Sequence, residues 1–184
     1  MTDTQPDAPP FSNALVTPDA LPDAQTLETN PLSPHYRTLN LAIVSVVFSL
    51  LLIAITVVRF QQFIPAAEGL VKVYPFVVVI LAALGVLSFL YHVFADPLIR
   101  YAVREQDLIL QKGLFFRATV CQPILRVQHI ELKRGPLDRI ANMAKLQVYS
   151  AGGSAHTFEI PGLPVTRAQQ LRQFILDHKD LDAR

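Results

Sequence analysis

The chain has 184 residues and a formal net charge of +1, and 51% of its residues are apolar, a share too high for an ordinary soluble domain. One cysteine and no tryptophan are present, which excludes a disulfide within the chain and a multi-cysteine metal site. The small net charge conceals an acidic N-terminal part and a basic C-terminal part, because residues 96–184 carry thirteen Lys/Arg against nine Asp/Glu.

Residues 1–38 predict a disordered acidic tail. They contain seven prolines and no glycine, and their isolated apolar residues cannot form a core. Residues 39–58 follow without a charge and are long enough, as a helix, to cross the roughly 30 Å hydrocarbon layer of a membrane. We interpret this segment as a retained span and not as a cleaved signal peptide, because it is long and follows an acidic tail.

Residues 75–95 form a second uncharged segment and predict a second span, with Pro75 at its first helical position. Four Lys/Arg lie before the first span or shortly after the second, and two lie in the connector between the spans, residues 59–74. We therefore expect a multi-pass protein of the inner (plasma) membrane with both termini in the cytoplasm. His92 lies close to the end of the second segment, and we interpret it as an interfacial residue in preference to a proton relay.

From residue 96 onward, short alternating runs are separated by turn residues every eight to twelve positions, which predicts antiparallel strands. The predicted strand segments are IRYAV, LILQK, LFFRATVCQPIL, ILRVQHIEL, KLQVYSA and AHTFEI. The final segment, TRAQQLRQFILDHKDL, has its apolar residues at helical spacing. Residues 96–184 therefore predict a small antiparallel barrel or sandwich that is closed by one amphipathic helix.

The charged segment RVQHIELKRGPLDRI predicts an irregular strand followed by a turn. Val127 and Ile130 have opposite parity, so a regular strand cannot bury both on one face. A bulge at residues 128–129 would restore the pattern and turn His129 outward. The turn RGPLD follows, and we expect Asp138 to accept a hydrogen bond from a nearby backbone N–H.

The order of two spans followed by YAVREQDLILQKGLFFR, CQPILRVQHIELKRGPLDRI, LQVYSAGG and IPGL resembles the YdbS-like family of membrane-anchored bacterial PH-like domain proteins. The resemblance covers about residues 39–176. It implies an α+β membrane protein in which a two-helix transmembrane hairpin, residues 39–95, precedes a cytoplasmic PH-like domain, residues 96–184. It also implies that this domain is an antiparallel β-barrel of about seven strands, capped by a C-terminal α-helix. After GPLDRI the family usually has a glycine, whereas this chain reads ANMAK, which leaves the shape of that turn open.

Catalytic motifs are incomplete in this sequence. His129 and Glu131 form the H-x-E triplet of zinc deaminases, but that chemistry also requires a P-C-x-x-C segment, which one cysteine cannot supply. Cys121 lies in a predicted strand, where we interpret it as a packing residue, and the chain has no phosphate-binding glycine loop. We expect no catalytic residue, no metal and no cofactor. A small transporter or membrane enzyme is the weakest candidate.

The basic residues are the stronger signal, with nine Lys/Arg against five Asp/Glu between residues 96 and 150. Each Lys/Arg near an anionic lipid surface contributes about 1 kcal/mol of binding. The candidates for contact with lipid or a protein partner are Arg100, Arg104, Arg126, His129, Lys133, Arg134 and Arg139. The alternative is a solvated face with ion pairs such as Glu131 with Lys133. Nucleic acid is a poor partner, because the basic excess is modest and the module is held at a membrane.

The function that we expect is that of a non-enzymatic, membrane-anchored platform for protein binding or assembly. Its partner would be another PH-like membrane protein or a second copy of the chain, as the resemblance implies. A sensor of anionic lipid headgroups is the alternative, with membrane lipids as the ligand.

Overall fold

A computed structural model of the chain describes residues 28–61, 68–150 and 157–181. The helices are α1 (Pro34–Phe60), α2 (Glu68–Ala95), α3 (Pro136–Ile140) and α4 (Val165–Leu181). The strands are β1 (Asn30–Pro31), β2 (Arg100–Val103), β3 (Asp107–Lys112), β4 (Ala118–Pro123), β5 (Val127–Lys133), β6 (Met143–Ser150) and β7 (Thr157–Pro164). Two short 3-10 turns, Asp96–Leu98 and Ile124–Arg126, join α2 to β2 and β4 to β5.

The helices α1 and α2 pack against each other and confirm the predicted pair of apolar helices. Both are long and apolar enough to cross a membrane, with mean hydropathy of 3.0 and 2.5 in their most apolar windows. The Phe48 side chain of α1 packs against the backbone of α2 at Gly85, where a Cβ atom would lie 3.0 Å from Cγ of Phe48. Towards the other end of the pair, the hydroxyl oxygens of Thr56 and Tyr74 are 3.2 Å apart.

Both helices are longer than predicted. α2 begins at Glu68, so Pro75 lies inside the helix and not at its first position. Proline inside a helix removes one backbone hydrogen bond, yet α2 continues through the position where the sequence predicted its start.

The prediction of a disordered tail is wrong for residues 30–38, whereas residues 1–27 lie outside the described part of the chain. Asn30 pairs with Tyr101 as β1 adds to the edge of β2. The N–H of Ser33 then donates to the carbonyl of Gly162 at 3.0 Å, and α1 begins at the next residue. The backbone partners of these residues, Tyr101 and Gly162, follow both long helices in the sequence. The composition of the tail alone therefore does not reveal these contacts.

The strands form two antiparallel sheets, in the orders β1-β2-β3-β4 and β5-β6-β7, and not the closed barrel that was expected. No ladder between described strands joins the sheets at β4 and β5, because Pro123 lacks an N–H and the turn Ile124–Arg126 interrupts the strand. The core lies between the sheets and α4. It includes the fully buried Leu108, Leu146, Val148, Ile160, Leu163, Ala168 and Ile175. The predicted strand-rich module with a C-terminal helix is thus confirmed.

The predicted bulge in β5 is confirmed. Val127 and Ile130 are 2% and 7% exposed, and the register with β6 shifts between Val127 and His129. The His129 side chain is turned outward and is 65% exposed. The bulge therefore lets two apolar residues of opposite parity reach the same core.

The segment RGPLD forms the start of the one-turn helix α3 and not a simple turn. Asp138 accepts the expected hydrogen bond, from the N–H of Gly135 at 3.0 Å. Asn142, which follows α3, has a φ of 50°. Asparagine tolerates this left-handed conformation better than most other residues with a Cβ.

Candidate functional site

The predicted basic residues do not converge on one surface. Arg104 follows β2, and its N–H bonds to the carbonyl of Asp107 in the tight turn to β3. Arg126 lies in the turn after β4, which is tied to the same region by the N–H of Ile124 bonding to Gln106. Arg104 lies about 13 Å along the chain from Arg100, just past the other end of β2.

His129 and Lys133 lie on the outer face of β5, where Glu131 binds both of them. Lys133 Nζ is 3.2 Å from Glu131 Oε2, and His129 Nε2 is 3.3 Å from Oε1. The hydroxyl of Tyr149 completes the group, 3.3 Å from Lys133 Nζ and 3.2 Å from Glu131 Oε2. The Glu131–Lys133 ion pair that was predicted for a solvated face is therefore present.

These contacts shift two pKa values in opposite directions. The hydrogen bond from Lys133, with a smaller contribution from Tyr149, lowers the pKa of Glu131 below its ordinary value. The hydrogen bond with Tyr149, followed by that with Glu131, raises the pKa of Lys133. Both groups stay charged at neutral pH and neutralise each other, so this face offers little net positive charge to a ligand.

Arg134 lies just before α3, and Arg139 lies in its last turn. Arg134 Nε donates to the carbonyl of Met143 at 3.1 Å, and Ile140 at the end of α3 is 81% exposed. Met143 pairs with Pro164 at the end of β7, close to where β7 meets α1. α3 therefore lies at the end of the domain from which the two long helices extend.

A polar junction connects the two long helices to the domain. Asp96 is only 6% exposed, and its Oδ2 accepts a hydrogen bond from Asn40 of α1 at 3.0 Å. Its Oδ1 is 3.1 Å from His92 Nδ1, one helical turn earlier on α2. His92, which was expected to reach the lipid headgroups, thus turns to a carboxylate inside the protein.

The IPGL motif supplies the second part of this junction. Gly162 has a φ of 61°, and a Cβ atom there would lie 2.5 Å from Cγ and Cδ2 of the Tyr36 ring. The glycine therefore allows the first turn of α1 to rest on β7. Together with the Asp96 contacts, this fixes the orientation of the domain relative to both helices.

A basic cavity of about 600 Å³ lies beside the end of α2. Its lining includes Pro97 and Leu98 of the connecting turn and the cationic side chains Arg100, Lys112 and Arg117. Of these, only Arg100 was among the predicted candidates. Arg117 was missed because LFFRATVCQPIL was interpreted as one strand, whereas residues 113–117 form a loop and β4 begins at Ala118. Lys112 ends β3, in agreement with the predicted strand LILQK, but was not chosen as a candidate.

Cys121 is exposed on β4, with its Sγ 3.2 Å from Oδ2 of Asp107. Partial burial, followed by this hydrogen bond, raises the pKa of the thiol. A raised pKa keeps the group protonated at neutral pH, which is the opposite of what a catalytic thiolate requires. Within residues 28–61, 68–150 and 157–181, no group of three or more His, Cys, Asp or Glu side chains could hold a metal ion.

Comparison with known proteins places these features in a family. Residues 26–179 match the family model described as the bacterial PH domain. The chain is also similar to the UPF0699 transmembrane protein YdbS of Bacillus subtilis (strain 168), with 33% identity over 101 residues, or 52% of this chain. The match spans 62% of the length of that relative. No solved structure matches the chain.

Proposed function

Because this chain belongs to the bacterial PH domain family, we propose that it is a non-enzymatic membrane-anchored platform that binds a second PH-like chain. The partner is a copy of itself or a membrane protein with the same domain. The observation that carries the proposal is the free edge of the first sheet, formed by β4. The rigid junction at Asp96 and Gly162 supports it, because it holds that edge in one orientation above the membrane.

β4 is an edge strand whose one proline, Pro123, stands at its last position and leaves the preceding residues open. It pairs only with β3 among the described strands, its six residues carry no charge, and Val120 is 40% exposed. Natural edge strands are commonly shortened or charged so that they do not pair with other chains. An uncharged exposed edge is suited to accept a strand from a partner.

The hydrogen-bond pattern indicates which groups of β4 face the partner. The carbonyl of Asp107 accepts a hydrogen bond from the N–H of Arg104, so the backbone groups of Asp107 point toward β2. Pro123 lies opposite Asp107 on β4, and its backbone carbonyl therefore points away from β3. Alternation along the strand then directs the N–H groups of Cys121 and Thr119 outward. Two copies can pair antiparallel through these groups, with their Cys121 residues opposite or near each other.

The same cysteine provides the test, since it is the only one in the chain. The full-length protein in its native membrane is treated with a short bismaleimide above pH 8, where more of the Cys121 thiol is ionised. We expect a covalent dimer or a conjugate with a second PH-like chain. Opposed side chains on paired strands lie about 5 Å apart, within reach of such a reagent.

Matched proline substitutions identify the edge. Thr119→Pro removes an outward N–H without breaking the ladder to β3, and should abolish the crosslink. Thr166→Pro lies in the first turn of α4, where proline is tolerated, and should leave it unchanged. Equal crosslinking of the two variants, or a product with neither a second copy nor a PH-like chain, would refute the proposal.

We place the domain on the cytoplasmic side of the inner membrane, following the Lys/Arg distribution around the helix ends. A membrane-impermeant maleimide added outside intact cells should not label Cys121, and lysis should expose it. Labelling of intact cells would reverse the orientation.

Sensing of anionic lipid headgroups is the second candidate function. The observation that favours it is the basic cavity beside the end of α2.

A further inference from the structure

The loop of residues 113–117, between β3 and β4, exposes two adjacent aromatic rings. Phe115 and Phe116 are 83% and 92% exposed, the highest values among the large apolar side chains in the described part of the domain. Single exposed apolar residues are common on soluble surfaces, but an adjacent, nearly bare pair indicates a binding surface. Phenylalanine and leucine are also the side chains that insert shallowly into membrane interfaces.

The shape of this loop is fixed by glycine. Gly113 has a φ of 112°, and a Cβ atom at this position would collide with the carbonyl oxygen of Phe116. Residues with a side chain rarely adopt this backbone conformation. The projection of both rings away from the core is therefore a consequence of the backbone path that Gly113 allows.

The loop lies at the membrane end of the domain. Arg100, two residues after the turn that ends at Leu98, pairs with Gln111. β3 then ends at Lys112, and the chain enters the loop beside the point where α2 meets the domain. Pro97 and Leu98 line the same cavity as Gly113 and Arg117, as expected from this register.

The cavity between the loop and the end of α2 is positively charged. Arg100, Lys112 and Arg117 line it, and no Asp or Glu is among its lining residues. None of the ion pairs found between described residues involves these three cations. Arg100 instead makes a hydrogen bond of 3.4 Å to the hydroxyl of Thr29. The cavity therefore provides three cations and nearby hydroxyl groups at the headgroup level of the membrane.

We propose that this cavity and loop form a binding site for an anionic phospholipid of the leaflet on which the domain lies. The lipid phosphate is bound by Arg100, Lys112 and Arg117, while Phe115 and Phe116 enter the boundary between headgroups and acyl chains. A soluble phosphate would use the cations but not the two rings, and the rings favour the lipid. The site rests on the lipid-sensing candidate function, and it does not require strand addition at β4, although Ala118 and Thr119 of β4 also line the cavity.

Loop insertion can be measured with the full chain in nanodiscs. On a Cys121→Ser background, Phe116→Cys carries an environment-sensitive fluorophore and the lipids carry a quencher at the headgroup. We expect strong quenching that increases when about 30% phosphatidylglycerol is added to phosphatidylcholine. The matched control is a label at Glu105→Cys, in the exposed β2–β3 turn at the opposite end of the sheet, which should remain unquenched.

The cation requirement is tested with two double variants of equal charge. Lys112→Gln with Arg117→Gln removes two cavity cations, and Arg104→Gln with Arg126→Gln removes two from the far end. Native mass spectrometry of the detergent-purified chain measures bound phosphatidylglycerol. Each cation near an anionic lipid contributes about fivefold in affinity, so the cavity variant should bind about 25-fold more weakly and the far-end variant about as well as the wild type.

Three outcomes overturn the proposal. Equal weakening by the two double variants would make the effect one of net charge, with lipid sensing retained but this site rejected. No preference of the wild type for phosphatidylglycerol would reject lipid sensing itself. Displacement of the lipid by inorganic phosphate, together with an unquenched Phe116 label, would identify a soluble-anion site.

Discussion

Replacement of Gly162 by alanine should weaken the attachment of the domain to α1. The left-handed backbone at φ 61° costs a residue with a Cβ about 1–2 kcal/mol. The new methyl group would also lie 2.5 Å from the Tyr36 ring, and an overpacked contact of this kind costs about 1–3 kcal/mol. The expected loss is therefore about 2–5 kcal/mol.

Hydrogen exchange of the β7 peptides in the detergent-solubilised full chain measures this loss directly. A change of 2 kcal/mol or more corresponds to exchange at least about thirtyfold faster. The double variant Gly162→Ala with Tyr36→Ala lacks the clash between the new methyl group and the Tyr36 ring. In the Tyr36→Ala background, the loss of stability caused by Gly162→Ala should therefore fall to about 1–2 kcal/mol. If Gly162→Ala accelerates exchange less than about fivefold, or if Tyr36→Ala brings no relief, the reasoning is wrong.

Three further predictions concern the core, the thiol and the charged face. Leu146→Ala should lower the free energy of unfolding by about 2–5 kcal/mol, because Leu146 is fully buried. Pulse proteolysis in urea measures this change. The control Val120→Ala, at a half-exposed position, should lower the free energy of unfolding by less than about 1 kcal/mol. Asp107→Asn should lower the pKa of Cys121 by removing a neighbouring charge, so alkylation at pH 8 should become faster; an unchanged or slower rate would contradict the assigned contact. Folding lowers the pKa of Glu131 below its ordinary value of 4.5. The difference in free energy of unfolding between the wild type and Glu131→Gln should therefore be constant at pH values above 4.5. It should disappear as the pH falls through the pKa of Glu131 in the folded state. A difference that grows on acidification would be inconsistent with this sign.

Local patterns predicted much of the fold. The two long apolar segments, the strand-rich module and the terminal helix follow from hydrophobic periodicity within windows of ten to twenty residues. The bulge in β5 also followed from sequence, because the parity of Val127 and Ile130 is a local property. Long-range contacts were beyond such patterns, and β1 was missed because its partner β2 lies beyond both long helices.

The candidate site was predicted only in part. Of the candidate residues chosen from the sequence, Arg100 alone lines the basic cavity. Lys133 forms an ion pair with Glu131, which the sequence predicted only as the alternative to ligand binding. One signal was present and was not used. Phe115 and Phe116 are adjacent, so a strand would have turned one of them to solvent, and the preceding Gly113 already indicated a loop.

The pairing of β1 with β2 has a consequence for biogenesis. β1 leaves the ribosome before the two long helices, and its partner strand follows only after both have been synthesised, roughly 4–14 s later at ordinary elongation rates. The two strands can meet only if both ends of the helix pair remain on the same side of the bilayer. A chain inserted with one helix in the wrong direction would separate β1 from β2, leave Tyr36 without Gly162, and expose an incomplete sheet to proteases. In a bilayer, completion of the domain would therefore require both ends of the helix pair to lie on the same side.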